Sequence, residues 1–222
     1  MNTAIIVAAG SGTRFESEIP KQFIEINGKP LIVHTLERFQ AARLVDAIIL
    51  VLAQDRINGF KKIVNEFSVS KLTNVVAGGN TRAESVLNGL NALSAETEIV
   101  AVHDGARPLV PPEEIDATIK KAKATGAACL VAPVNDTIKT IRGGEIAGTL
   151  DRKQLRCALT PQAFRVEVLK RAFELGNLDA AVTDECYLVE KLGHPIALVE
   201  GSARNIKITH SEDLIFAEAF LK

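Results

Sequence analysis

The sequence predicts an α/β fold, a mostly parallel β-sheet flanked by helices with a protruding β-hairpin arm, and three observations carry that prediction. Short apolar, β-rich runs alternate with helix-period stretches along the whole chain. Such alternation joins parallel strands through crossover helices. One segment, 136–150, breaks the rhythm and reads as a hairpin. A length of 222 residues suits a single domain with a modest appendage, so residues 1–222 are read as one unit.

Strands are expected at 3–9 (TAIIVAA), 46–53 (DAIILVLA), 73–77, 98–102 (EIVAV), 127–134 (AACLVAPV) and 195–199. A helix is expected at 31–43, where Ile32, Leu36 and Phe39 recur at helical spacing. Pro111 and Pro112 before Glu113 and Glu114 mark another helix start. A last helix is expected at 210–221, with Leu214, Ala217 and Leu221 on one face and Thr209 with Glu212 at capping-box spacing. The segment DTIKTIRGGEIAGTL turns at Gly143-Gly144 and is too small to fold alone. It either packs on a second subunit or folds back on its own domain.

Composition excludes several classes of function. Hydrophobic residues make up 47% and charged residues 24%, and no apolar run of about 18 residues is present to span a bilayer. The N-terminus, MNTAIIVAAGSG, lacks a basic leader, so the chain is expected to be soluble and cytoplasmic, with no membrane partner. Cys129, Cys157 and Cys186 are odd in number and far apart, which fits reduced thiols rather than a disulfide framework or zinc site. His34, His103, His194 and His210 are scattered and read as ordinary packed or surface residues. A net charge of −1 with 5% aromatics argues against nucleic acid as a partner. Any cations for an anionic ligand must therefore be gathered locally.

They gather first in residues 7–23, VAAGSGTRFESEIPKQF, where a strand meets Gly10-Ser11-Gly12, then Arg14 and Lys21. Glycines after a strand bring backbone N–H groups close to an anion, and the two cations add full charges at the same mouth. This is not a dinucleotide fingerprint, because Phe15 stands where a third glycine belongs and no acidic residue ends the second strand. Nor is it a Walker loop, which needs Gly-Lys-Ser/Thr.

A second constellation is AVHDGARPLV, 101–110, in which a strand ends at Asp104 and Arg107. In an open parallel sheet this edge lines the ligand crevice. Asp104 suits a hydrated Mg²⁺ or ribose hydroxyls and Arg107 a phosphate, against the plainer reading of an Asp–Arg pair bracing a loop. A third is GGNTRAES, 78–85, a glycine turn that either presents backbone groups and Ser85 to a base or merely starts a helix with Asn80 as N-cap. Lys207 lies in RNIKIT, expected to be a strand end on which it points away from Ile206 and Ile208, and Arg152 follows the hairpin in LDRKQL.

Together these blocks resemble the 2-C-methyl-D-erythritol 4-phosphate cytidylyltransferases of the non-mevalonate isoprenoid pathway. AAGSGTRF, PKQF, GGNTRAESV, VHDGARP, APVNDTIK, LDRKQL, LTPQAF, TDE and VEGSARNIKIT occur in order at family-like spacing over nearly the whole chain. The resemblance implies a Rossmann-like domain, a divalent cation such as Mg²⁺, and a homodimer clasped by the β-arm at about 136–152. It implies transfer of a cytidylyl group from CTP to methylerythritol phosphate with release of pyrophosphate. By position, Ala8, Ala9, Gly10, Gly79, Asn80 and Ser85 would surround cytosine and ribose, and Gly12, Arg14 and Lys21 the triphosphate. Asp104, the metal candidate, and Lys207 would sit near the reacting phosphate. Gly105, Arg107 and Thr160, with Thr137 and Arg152 of the other subunit, would hold the sugar phosphate. The implied catalytic set is Arg14, Lys21, Arg152 and Lys207. Asn80 departs from the aspartate that many relatives carry there, which leaves a side-chain role in reading cytosine open.

The chemistry fits that set. A phosphate monoester is largely dianionic near neutral pH, its second pKa being about 6, so the attacking oxygen needs no general base. What remains is to bring two polyanions together in line and to stabilise charge moving toward pyrophosphate, which is work for cations. A ribitol-5-phosphate cytidylyltransferase shares the glycine loop and is the alternative. A dinucleotide-dependent oxidoreductase is disfavoured by Phe15, and a nucleotide-binding scaffold by the joint presence of Arg14, Lys21, Asp104, Arg152 and Lys207.

Overall fold

In the computed structural model, which describes residues 1–10, 15, 20–175 and 182–221, the chain builds a seven-stranded sheet around β1 (Asn2–Ala8). From one edge to the other the strands are β11 (Ala197–Glu200), β7 (Ala127–Pro133), β10 (Arg156–Arg165), β6 (Ile99–Asp104), β1, β4 (Ala47–Leu52) and β5 (Leu72–Ala77). β1 pairs in parallel with both β4 and β6, with Val7 opposite Val51 and Asp104. The parallel pairs β4–β5 and β7–β11 extend the sheet on either side.

β1 carries consecutive isoleucines because both faces of the sheet are covered. Ile6 joins a cluster with Phe39 of α1 (Leu31–Ala41), Phe60 of α2 (Ile57–Val64) and Ile119 of α4 (Pro112–Thr125). Ile5 faces Val86 of α3 (Arg82–Asn91), Leu169 of α5 (Val166–Leu175) and Leu188 of α6 (Glu185–Lys191). Burying a side chain of this size contributes about 1.5–3 kcal/mol, so each neighbouring pair fastens both helical layers to one strand. A third, smaller cluster joins Phe15, Ile26, Leu31, Ala106, Ile208 and Ala217 where α7 (Glu212–Phe220) closes over the short ribbon of β2 (Glu25–Ile26) and β3 (Lys29–Pro30).

Most expected elements are present, with four differences. β10 runs antiparallel between β6 and β7, and the run RCALTPQAFR gives no apolar signal for it. Its direction follows from the arm: the chain leaves β7 and re-enters the sheet without a crossover helix, so it runs back antiparallel. Pro161, which cannot donate to a ladder, lies where the β7 register skips from Ala158 to Gln162. RNIKIT is not a strand, and the segment is held by tertiary hydrogen bonds described below.

The other two differences are caps. Thr81, not Asn80, caps α3, accepting from the Glu84 N–H at 3.0 Å, while Glu84 reaches back to the Asn80 N–H at 2.7 Å. At α7 the expected Thr209–Glu212 box is replaced by Asp213. Its Oδ2 accepts from the N–H groups of Thr209 and His210 and from the Thr209 hydroxyl, at 2.7, 2.9 and 3.0 Å. One carboxylate there satisfies donors that a helix N-terminus leaves open.

The hairpin is as expected: β8 (Lys139–Arg142) and β9 (Glu145–Thr149) are joined by Gly143 and Gly144, whose φ values of 60° and 84° glycine adopts at no steric cost. Ile141 and Ile146 face each other across it, 72% and 69% exposed. Among the described residues no helix is long and apolar enough to cross a membrane.

Candidate active site

The carboxyl ends of β1 and β6 lie side by side, and the chain leaves β1 toward β4 on one side while β6 pairs on the other. At such a reversal in strand order a crevice opens. Here it is a cavity of about 460 Å³, bounded by Ala8, Ala9 and Gly10 after β1, Gly79 to Arg82 before and at the start of α3, and Asp104. Lys21, Lys207 and Thr209 close its other side. Gly105 is required by the approach: a Cβ there would lie 2.9 Å from Ala8 Cβ and 2.8 Å from Ile32 Cδ1.

Asp104 is the electrostatic centre. Its Oδ1 accepts from Arg82 Nε at 3.1 Å, and its Oδ2 meets Lys207 Nζ at 2.9 Å and Arg107 Nε at 3.4 Å. Burial acts to raise its pKa, but Arg82, Lys207 and Arg107 outweigh burial and hold the carboxyl well below the usual carboxylate range. Behind it, Arg82 makes a bidentate pair with the fully buried Glu185, 2.6 Å from Nη1 and 3.1 Å from Nη2. With Glu185 and Asp104 both ionised, the cluster keeps one positive charge in excess, before Lys21 is counted.

The sequence-predicted residues fall into several groups. Ala8, Ala9, Gly10, Lys21, Gly79, Asn80, Ser85, Asp104 and Lys207 all line the one cavity. Ser85 is spoken for within its loop: its hydroxyl donates to Thr81 O at 2.9 Å and accepts from the Gly79 N–H at 3.1 Å. Lys21 Nζ donates to Ile208 O at 2.8 Å, tying the glycine loop's exit to the segment that carries Lys207. Arg107 lies beneath the site as a brace, with Nη1 on Asn205 O at 2.7 Å. The plainer reading of an Asp–Arg pair thus describes its contacts. Lys207 is no exposed strand lysine, since Ile208 N–H bonds to Ala106 O at 2.8 Å and draws the segment onto the cavity wall. Thr137 and Arg152 belong to the arm and stay out of their own chain's cavity, Arg152 donating to Asn135 O at 2.6 Å. Gly12 and Arg14 lie outside the described residues.

Thr160 is buried in a relay that sets the edge. The Asp104 N–H donates to Thr160 Oγ1 at 3.1 Å, Thr160 Oγ1 meets His103 Nδ1 at 2.9 Å, and His103 Nε2 meets Arg107 O at 3.1 Å. With Nε2 donating to that carbonyl, Nδ1 accepts from the hydroxyl, a neutral imidazole. Burial, opposed by neighbouring Asp104, pushes its pKa down to about 3. The unfolded chain takes up a proton near pH 6.5 and the fold does not, so this contribution is complete above 6.5 and lost as pH falls toward 3. The expected loss is about 2 kcal/mol between pH 6.5 and 5, read by urea unfolding, with a flatter slope in His103→Gln.

Sequence reasoning missed Arg82, Glu185 and Gln22. Gln22 is buried and its Nε2 donates to Ala8 O at 2.9 Å, fixing the start of the glycine loop. The signal was present in PKQF, TRAES and TDE, where polar residues are spent inside otherwise unremarkable local structure.

Among the described residues no group of three or more acidic, histidine or cysteine side chains could cage a metal. Asp104 is the one carboxylate among the described lining residues. Mg²⁺ commonly binds through one or two carboxylates together with substrate phosphates and waters, so this donor set fits a cation that arrives on a triphosphate. The three cationic partners already on Asp104 favour contact through water over direct ligation.

The whole chain is similar to proteins of one family. The family model described as IspD, 2-C-methyl-D-erythritol 4-phosphate cytidylyltransferase, matches residues 2–222. Cytidylyltransferases of that name from Syntrophus aciditrophicus and Geotalea uraniireducens are 44% and 41% identical, each over 99% of this chain and 95% and 96% of the relative. A crystal structure of 4-diphosphocytidyl-2C-methyl-D-erythritol synthase from Anaerococcus prevotii superposes with a TM-score of 0.86 at 33% identity, over 99% of this chain and 95% of that one. The Francisella tularensis enzyme gives 0.81 at 33% identity, over 99% of each chain. Matched along its length by these enzymes, the chain belongs to the 2-C-methyl-D-erythritol 4-phosphate cytidylyltransferase family.

Proposed function

We propose that this chain transfers a cytidylyl group from CTP to 2-C-methyl-D-erythritol 4-phosphate, giving 4-diphosphocytidyl-2-C-methyl-D-erythritol and pyrophosphate in isoprenoid precursor synthesis. The cation cluster around Asp104 carries this reading, because it supplies what the reaction lacks and nothing it does not need. A phosphate oxygen of the sugar phosphate attacks the α-phosphorus, and the bond to the β-phosphate oxygen breaks, its electron pair leaving with pyrophosphate. No proton need move, and His103, beside Asp104 at the strand end, is buried and neutral.

In this reading Ala8, Ala9, Gly10, Gly79, Asn80 and Ser85 form the nucleoside wall, and Gly12, Arg14 and Lys21 meet the triphosphate. Lys207 neutralises charge on the α-phosphate in the transition state. Mg²⁺ held by the phosphates beside Asp104 would draw charge from the departing pyrophosphate. Gly105, Arg107 and Thr160 shape the wall under the second substrate. The arm reaches a partner copy: Ile141 and Ile146 expose an apolar pair that a homodimer would cover, and Thr137 and Arg152 would then face the partner's cavity. In this reading the protein works in the cytoplasm.

Two alcohol phosphates test the reaction. Pyrophosphate release from CTP should proceed with methylerythritol phosphate and at least about tenfold more slowly with ribitol 5-phosphate, and the reverse order would overturn the assignment. Arg152→Ala should raise KM for the sugar phosphate about tenfold or more while calorimetry shows CTP binding unchanged, since the arm does not touch its own cavity. Weaker CTP binding would place Arg152 elsewhere.

A further inference from the structure

The TDE block and Gln162 of the TPQ block have no part in the mechanism above, yet the structure connects them to its centre. Gln162 of β10 uses both ends of its amide on the first turn of α6. Its Nε2 donates to Asp184 Oδ2 at 2.9 Å, and its Oε1 accepts from the Cys186 N–H at 3.0 Å. Asp184 spends its other oxygen on the Tyr187 N–H, capping the helix at 2.9 Å. Glu185, between these two anchored residues, is fully buried and meets the guanidinium of Arg82 across a sequence separation of 103 residues. The Arg82 fork is then fixed at both ends: Nη1 and Nη2 on Glu185, Nε on Asp104 Oδ1. A guanidinium is planar and rigid, so fixing one edge aims the other. With Oδ1 engaged by Arg82, Oδ2 is left toward Lys207.

We infer that Glu185 is a positioning residue for the transfer, acting through Arg82 to orient Asp104 and thereby Lys207, with Gln162 holding Glu185 in place. This rests on the reading of the cavity as the cytidylyl-transfer site. Burial holds the Glu185 carboxyl pKa above its ordinary value in spite of Arg82, so the ionised form rests on this one partner, and the bidentate geometry is that of carboxylate on guanidinium. Removing the negative charge without changing shape should free the Arg82 fork and let Asp104 turn, while the rest of the cavity wall stays where its own hydrogen bonds hold it.

The test is Glu185→Gln, with kcat measured beside CTP calorimetry on the same preparation. The expected result is kcat lowered about tenfold or more, with CTP stoichiometry near one and CTP affinity within about threefold of wild type. Arg82→Lys keeps a cation but loses the fork, and should show the same split. A kcat within threefold of wild type in both variants would overturn the inference. So would stoichiometry falling in step with turnover in both, which is what a purely structural pair would give. The wild-type protein separates the two readings, since absence of turnover there would remove the proposed function itself, whereas turnover in wild type and variants alike would remove only the role of Glu185.

Discussion

Lys207→Ala is expected to lower kcat by about 10²-fold or more, the scale on which an enzyme loses a donor aimed at transition-state charge. Its fold should survive, because Asp104 keeps Arg82 at 3.1 Å and Arg107 at 3.4 Å when the ammonium is gone. The backbone of the segment is also held independently, by Ile208 N–H on Ala106 O and by the Asn205 amide on Thr160 O. Steady-state kinetics with thermal unfolding reads both halves of this statement. Turnover near wild type would remove Lys207 from the chemistry, and collapse of Tm would make its role structural.

Asp104→Asn should lose turnover on the same scale and stability as well. Three cations converge on that carboxylate, and only Glu185 would remain to balance them. Stripping one partner from a buried ionic group costs about 3 kcal/mol, far more than losing an exposed pair. For a chain of this size that is a fall of roughly 6–12 °C in Tm. Turnover should drop by about 10²-fold or more, because Lys207 loses the anion that aims it. A variant with wild-type Tm would show that the cluster does not need its central charge.

The two substitutions differ in stability because three cations converge on Asp104 and Lys207 pairs with that one carboxylate; two of the three, Arg82 and Lys207, lie far from Asp104 in the chain, and that distance is also what limited the sequence reading. The glycine loop, Asp104 at a strand end and the Gly143-Gly144 turn are local patterns, legible from a few adjacent residues. β10 was not legible, because a strand held on both sides by neighbours tolerates Arg156, Thr160, Pro161 and Gln162 without an apolar run. Lys207 between two isoleucines imitates strand alternation, although the segment is fixed by Asp104, Ala106 and Thr160 rather than by a ladder. Arg82 and Glu185 look like ordinary first-turn helix residues until the fold brings them together. Asn80 and Glu212 lost their expected capping roles to Thr81 and Asp213, neighbours one position away, where spacing rules cannot discriminate.

Transfer itself is read most directly by mixing the purified protein with Mg²⁺, CTP and methylerythritol phosphate and following the products by phosphorus NMR. Pyrophosphate and 4-diphosphocytidyl-2-C-methyl-D-erythritol should appear in equal amounts, and neither should form when the sugar phosphate is left out. Pyrophosphate without the joined product, or no reaction with all three present, would contradict the assignment of this cation-lined cavity to cytidylyl transfer.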